Sequence, residues 1–131
     1  MSAFSNYLED QITGWIAGTS MTAPTATFVQ LYNGDPTDTG SGGTALYSRI
    51  TIASGTGSWT RGTGGNGTIT NASAFTITSS ATATASATHV AVWDASTAGN
   101  LLFFGALTTA KTVASGDEVK FNASALTLTV A

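Results

Sequence analysis

The sequence predicts an all-β protein, a β-sandwich of jelly-roll type with a short N-terminal amphipathic helix. Three observations carry that expectation. The stretch Thr88 to Leu107 holds two apolar runs, Thr-His-Val-Ala-Val-Trp and Leu-Leu-Phe-Phe-Gly-Ala-Leu, joined by a turn-forming segment from Asp94 to Asn100. Shorter alternating runs, separated by Gly, Asn, Asp and Ser, recur along the chain and suffice for about eight or nine strands. Helical periodicity is confined to the beginning. The 131 residues fit one domain, 1–131, with the helix in 1–18 and the sandwich in 26–131.

In residues 3–17, Phe4, Tyr7, Leu8, Ile12, Trp15 and Ile16 recur at three- and four-residue spacing and form one apolar stripe. Ser2 is the expected N-cap and Gly18 the expected C′ residue. Glu9 and Asp10 then fall mid-helix, and Gly14 lowers helix propensity by about 1 kcal/mol relative to Ala. Such a helix needs tertiary support: its stripe either plugs one end of the sandwich or docks on a neighbouring subunit.

After a Thr/Pro/Ala connector, Thr27 to Tyr32 alternates, Val29 and Leu31 against Phe28 and Tyr32. The loop Asn33 to Gly43 contains Asp35 and Asp38. Two carboxylates are few for calcium and their spacing fits no EF-hand, whereas Asx turns account for both. Ala45 to Ile52 reads as one strand with Leu46, Ile50 and Ile52 inward and Tyr47, Arg49 and Thr51 outward. Residues 53–67 form a Gly/Ser/Thr loop interrupted by Trp59 and Arg61, read either as interface anchors or as a tryptophan folded back over a core edge. Thr68 to Thr78 carries Ile69, Phe75 and Ile77 in a strand pattern bounded by Asn71. Residues 79–87 are almost purely Ser, Thr and Ala, a strand only where another layer comes close.

The hairpin that follows places Val90 and Val92 on one face and His89, Ala91 and Trp93 on the other. Strict alternation then sets Leu101, Phe103 and Leu107 against Leu102 and Phe104. Both faces are apolar, so both need covering, by a second sheet or by another subunit. Past the turn Ala114 to Asp117, Val119, Phe121 and Ala123 alternate, and Leu126, Leu128 and Val130 alternate with the opposite parity. A turn or bulge near Ser124-Ala125 follows from that slip.

Composition narrows the function. Only 8% of residues are charged and the net charge is −3, with a pI near 4.6. Four scattered cations, Arg49, Arg61, Lys111 and Lys120, give no footprint for nucleic acid. No apolar run approaches a membrane span, and the start lacks the basic and apolar regions of a signal peptide. A neutral, hydroxyl-rich surface loses little solvation on contact with other protein copies, so the composition favours assembly. Cysteine is absent. His89 is the lone histidine, and neither Asp94 nor Asp117 comes with a nucleophile motif, so no enzyme activity, cofactor or metal is expected.

The segments Ala3 to Ile12, Leu31 to Asp38, Tyr47-Ser48-Arg49, Thr88-His89-Val90, Leu102 to Thr109 and Val113 to Asp117 resemble a family of small tailed-bacteriophage virion proteins. Its members are described as tail fibre-like, and some look like capsid cement proteins. The chain departs from the pattern in Ala81 to Ala87 and in the Gly-rich loop around Trp59. The resemblance implies a structural virion protein: first a capsid cement or decoration protein bound to the major capsid protein on the shell surface, alternatively a tail or tail-fibre component. It implies synthesis in the host bacterial cytoplasm and self-association as a trimer or dimer. Phe4, Tyr7, Leu8, Ile12, Trp15, Trp59 and Arg61 are the expected interface residues. From another class, a carbohydrate-binding module with Trp59, Tyr47 or Trp93 as a stacking platform remains open.

Overall fold

The computed structural model describes residues 2–53, 58–65, 67–78 and 84–130. The expectations for residues 54–57 and 79–83 fall outside these. Among the described residues the order is β1 (Ser2–Phe4), α1 (Asn6–Ile16), β2 (Thr27–Asn33), β3 (Thr44–Ala45), β4 (Ile50–Ala53), β5 (Trp59–Arg61) and β6 (Thr68–Asn71). Then come β7 (Phe75–Thr78), β8 (Ala85–Trp93), β9 (Leu101–Val113), β10 (Glu118–Phe121) and β11 (Thr127–Thr129). The fold is an all-β sandwich with one short helix. The large sheet runs β1-β9-β8-β2-β3, with β4 also on β2; the smaller sheets are β11-β6-β5 and β10-β7.

The β8–β9 hairpin occupies the middle of the large sheet, as its doubly apolar sequence requires. Val29 pairs with Val92 and Leu31 with Val90 across β2 and β8, and Val92 pairs with Phe103 across the hairpin. These residues meet Ile77 and Leu128 from the small sheets, and Leu126 just before β11, in the main core. Strict alternation fails at the start of β9. Trp93 pairs with Leu101 but Val92 with Phe103, so Leu102 is an extra residue. This bulge sends Leu102 and Phe103 into the main core, while Leu101 and Phe104 join Phe28, Tyr32, Ala91 and Trp93 on the opposite face.

The N-terminus differs from expectation. Residues 2–4 pair with β9 at Gly105, Phe104 and Phe103, so Phe4 belongs to a strand and the helix starts later. Its N-cap is Ser5, not Ser2. The Ser5 hydroxyl accepts from the Leu8 amide at 3.2 Å and donates to the Leu101 carbonyl, and the Ser5 amide donates to Leu102 O at 3.1 Å. A serine that caps a helix and bonds a strand carbonyl fixes the junction between them. Glu9 consequently lies in the first turn, where the helix dipole favours a carboxylate. The helix does stop at Gly18, whose φ of +96° closes a Schellman motif: Gly18 N–H bonds Trp15 O and Thr19 N–H bonds Gly14 O.

Ala45 to Ile52 is not one strand. β3 and β4 pair with the two ends of the same edge of β2, and Leu46 and Tyr47, in the break between them, are both buried. The break carries Tyr47 inward against the alternation. The turn expected near Ser124-Ala125 is present, with Ser124 at φ +62°. It is held by Asn71, 0% exposed, whose Nδ2 donates to Ser73 O and Asn122 O and whose Oδ1 accepts from Leu126 N, each at 2.8 Å. Its backbone adds two bonds, to Leu126 O and from Ser124 N.

One buried amide thus links β6, the following turn and the approach to β11. Asn71→Ala leaves one buried donor and two acceptors without partners, and is expected to lower unfolding stability by about 3 kcal/mol in chemical denaturation.

Candidate interaction surface

The outward face of the hairpin is covered by the chain itself. Loop 34–43 crosses the Trp93 ring so closely that a Cβ on Gly40 falls 2.4 Å from the indole. The Arg49 guanidinium lies 3.7 Å from the Trp93 ring centroid, and its Nη1 donates to the carbonyls of Ala95 and Ala98. Arg49 Nε and the Tyr32 hydroxyl both donate to Gln30 Oε1, at 3.3 and 2.9 Å, and Gln30 Nε2 donates to Tyr47 O at 2.6 Å. Arg49, expected to point outward, is half-buried in this network. Burial raises the Tyr32 pKa above its ordinary value, opposed by the charge of Arg49. Burial likewise lowers that of Arg49, opposed by Tyr32 and Asp94.

This closure decides among the expected sites. Tyr47 and Trp93 are buried, so neither ring offers a face to a sugar. Trp59 is half-buried. Its ring meets Phe103 edge-on at 5.9 Å and its Nε1 donates to Thr27 Oγ1 at 3.0 Å, the contacts of a tryptophan folded over the core edge. Phe4 and Tyr7 also pack on the main core, and Leu8 and Ile12 are half-buried. Arg61 is exposed on β5, and Trp15 is 63% exposed at the end of α1.

The sequence stripe therefore divides in two. Its first half anchors the helix and its second half leaves the protein. Ile16 at 74% and Met21 at 47% are exposed as well, and Trp15 and Met21 line one shallow surface pocket with residues 18–20. Met21 had no periodic signal, since it lies in the connector. A second surface feature, a half-open cleft of about 600 Å³, lies between β9 and β11 and is lined by Phe4, Glu9, Leu107, Phe121, Leu126 and Leu128.

Reactive groups are engaged in structure. His89 Nδ1 lies 2.9 Å from Thr88 Oγ1. Asp94 accepts from the backbone and side-chain amides of Asn100, at 2.6 and 2.8 Å, and Asp117 accepts from Ala114 N at 2.8 Å. Asp35 accepts from Thr37 N at 2.8 Å in an Asx turn. Among the described residues no three His, Asp or Glu side chains gather around a metal-sized space.

The fold is thus a β-sandwich in which His89, Asp94, Asp117 and Asp35 are tied into strands and turns while the helix tip exposes apolar side chains. The family model of podophage GP4 fiber I protein gp80 matches residues 3–129, and the chain belongs to that family. No curated protein matches it. The family makes the chain a virion-associated structural protein of a tailed bacteriophage.

Trp15→Ser combined with Ile16→Ser changes two exposed side chains and is expected to leave thermal stability within about 0.5 kcal/mol of wild type. Trp59→Ala opens the core edge and is expected to cost about 2 to 3 kcal/mol in the same assay. Because the Tyr32 pKa is raised, its contribution to stability is complete below pH ~10 and declines as pH rises through the folded-state value. Phenolate absorbance should therefore show a component ionising above the ordinary tyrosine range, and Tyr32→Phe should remove it.

Proposed function

We propose that this protein is a structural component of a podophage tail fibre or of its attachment, docking on another virion protein through the exposed end of α1. The observation that carries the reading is the fibre-protein family match over residues 3–129. The family description names a fibre, so support moves from the capsid cement role, with the major capsid protein as partner, to the tail-fibre role. The role needs no catalysis. What it needs is a folded body and an apolar surface left unsatisfied in isolation. The exposed Trp15, Ile16 and Met21 side chains meet that need, since aromatic and apolar anchors carry much of the energy at the centre of protein interfaces. Phe4, Tyr7 and Trp59 serve indirectly by holding the body together, and Arg61 on β5 remains available to a partner.

Immunogold labelling of purified particles should place the protein at the tail, in far fewer copies than the shell has capsomers. A dense label over the shell would return the assignment to cement. In phage carrying Trp15→Ser and Ile16→Ser, the soluble and folded variant should be incorporated at less than a tenth of the wild-type level.

A further inference from the structure

We propose that residues 37–42 form a strap over Trp93 that helix α1 holds shut, so that tilting the helix uncovers the aromatic face behind it. The strap is rooted at Pro36, which is fully buried and whose carbonyl accepts from the Gly42 amide at 2.9 Å. From that root it crosses Trp93 at Gly40, where the indole leaves no room for a Cβ. Its other bonds are mostly internal: Gly40 N–H donates to Thr37 O at 3.0 Å, Thr37 N–H to Asp35 Oδ1 at 2.8 Å, and the Thr39 and Ser41 hydroxyls bond each other. Among the described residues, a single hydrogen bond joins 35–42 to the rest of the chain, from the Asn6 amide to Asp38 O at 3.2 Å.

Two further observations make that bond a latch. Thr37 sits at φ +62°, a conformation that a β-branched residue adopts only under constraint. The closed strap therefore stores strain, which the Trp93 contact and the Asp38 bond hold in place. Asn6 is the first residue of α1, and its amide is one of the donors that a helix cannot satisfy itself. Ser5, just before it, is fixed to the carbonyls of Leu101 and Leu102, while no residue of α1 is fully buried. The helix can thus tilt about Ser5 as a rod about 15 Å long, with Trp15 and Ile16 at its far end. A tilt turns the Asn6 N–H away from Asp38 O, and a hydrogen bond weakens steeply below about 120°. Load at the tip opens the strap, and by linkage a closed strap seats the helix. What loads the tip is the docking role proposed above. The latch is read in the isolated protein, so either can fail without the other.

Amide hydrogen exchange followed by NMR tests the latch. Asn6→Pro removes the donor at a helix position that accepts proline, and Ser5, at φ −78° and ψ 160°, already has the conformation that precedes one. Exchange at Gly40 and Gly42 should rise about fivefold or more, the worth of one ordinary hydrogen bond, while Asn6→Ala, which keeps the N–H, leaves both unchanged. In the reverse direction Gly40→Ala should force the strap off Trp93 and speed exchange at Asn6 by a similar factor, without changing the Leu8 amide held by Ser5 Oγ. With Trp15→Phe and Trp59→Phe making Trp93 the sole tryptophan, N-bromosuccinimide should oxidise it faster when Asn6→Pro is added. Unchanged exchange at Val92 and Phe103, paired across the central hairpin, shows that each variant is folded. An Asn6 amide that exchanges without protection in the wild-type protein would overturn the proposal. So would strap amides that ignore Asn6→Pro, equal loosening by Asn6→Ala, or Trp93 oxidation at an unchanged rate.

Discussion

A hairpin that is apolar on both faces has to be covered twice, and the rest of the structure follows from how this chain does so. On one side β2, β8 and β9 present Val29, Leu31, Val90, Val92 and Phe103 to the small sheets, an ordinary sandwich core. On the other side, among the described residues, there is no second sheet. A loop of small residues lies across the Trp93 ring and a single guanidinium stacks on it. That solution needs a residue without a Cβ at position 40 and a cation whose donors find carbonyls close by. Arg49 meets the second requirement through Ala95 and Ala98. Half of the hairpin's cover is thus polar chain folded over aromatic surface, and it is closed without a neighbour.

Much of this was legible because it rests on local chemistry. The two apolar runs around Asp94–Asn100, the stop at Gly18 and the parity slip at Ser124-Ala125 are all readable from residue type and spacing. What sequence could not show lies where tertiary contacts override period. The Leu102 bulge reverses the faces expected for part of β9, and nothing in a run of four apolar residues marks which one is extra. Ser2 and Ser5 are equally good caps in isolation, and only the carbonyls of Leu101 and Leu102 distinguish them. Tyr47 and Arg49 read as outward because alternation was extended through a break that exists to let both turn inward. Trp59 had two readings, and the partner that decides its placement, Phe103, is distant in sequence.

The candidate surface was half legible for the same reason. An apolar stripe predicts that a helix face will be buried but not by what. Phe4 and Tyr7 find the chain's own core, while Trp15 and Ile16 overshoot it, and Met21 adds an exposed side chain from a segment without periodicity. A chain with 8% charged residues has few means of keeping such side chains solvated. The chain belongs to a fibre-protein family, and the docking role proposed above would give that composition a use.

Ser5 carries a mechanical implication. Anything attached to the far end of the helix pulls, at its root, on a hydroxyl and an amide bound to the carbonyls of Leu101 and Leu102, and on the three-residue ladder beside them. Tension entering at the tip is therefore delivered to the buried first residues of β9, one strand of the central hairpin. An appendage rooted in that way acts as a tether whose stiffness is set by the sandwich itself.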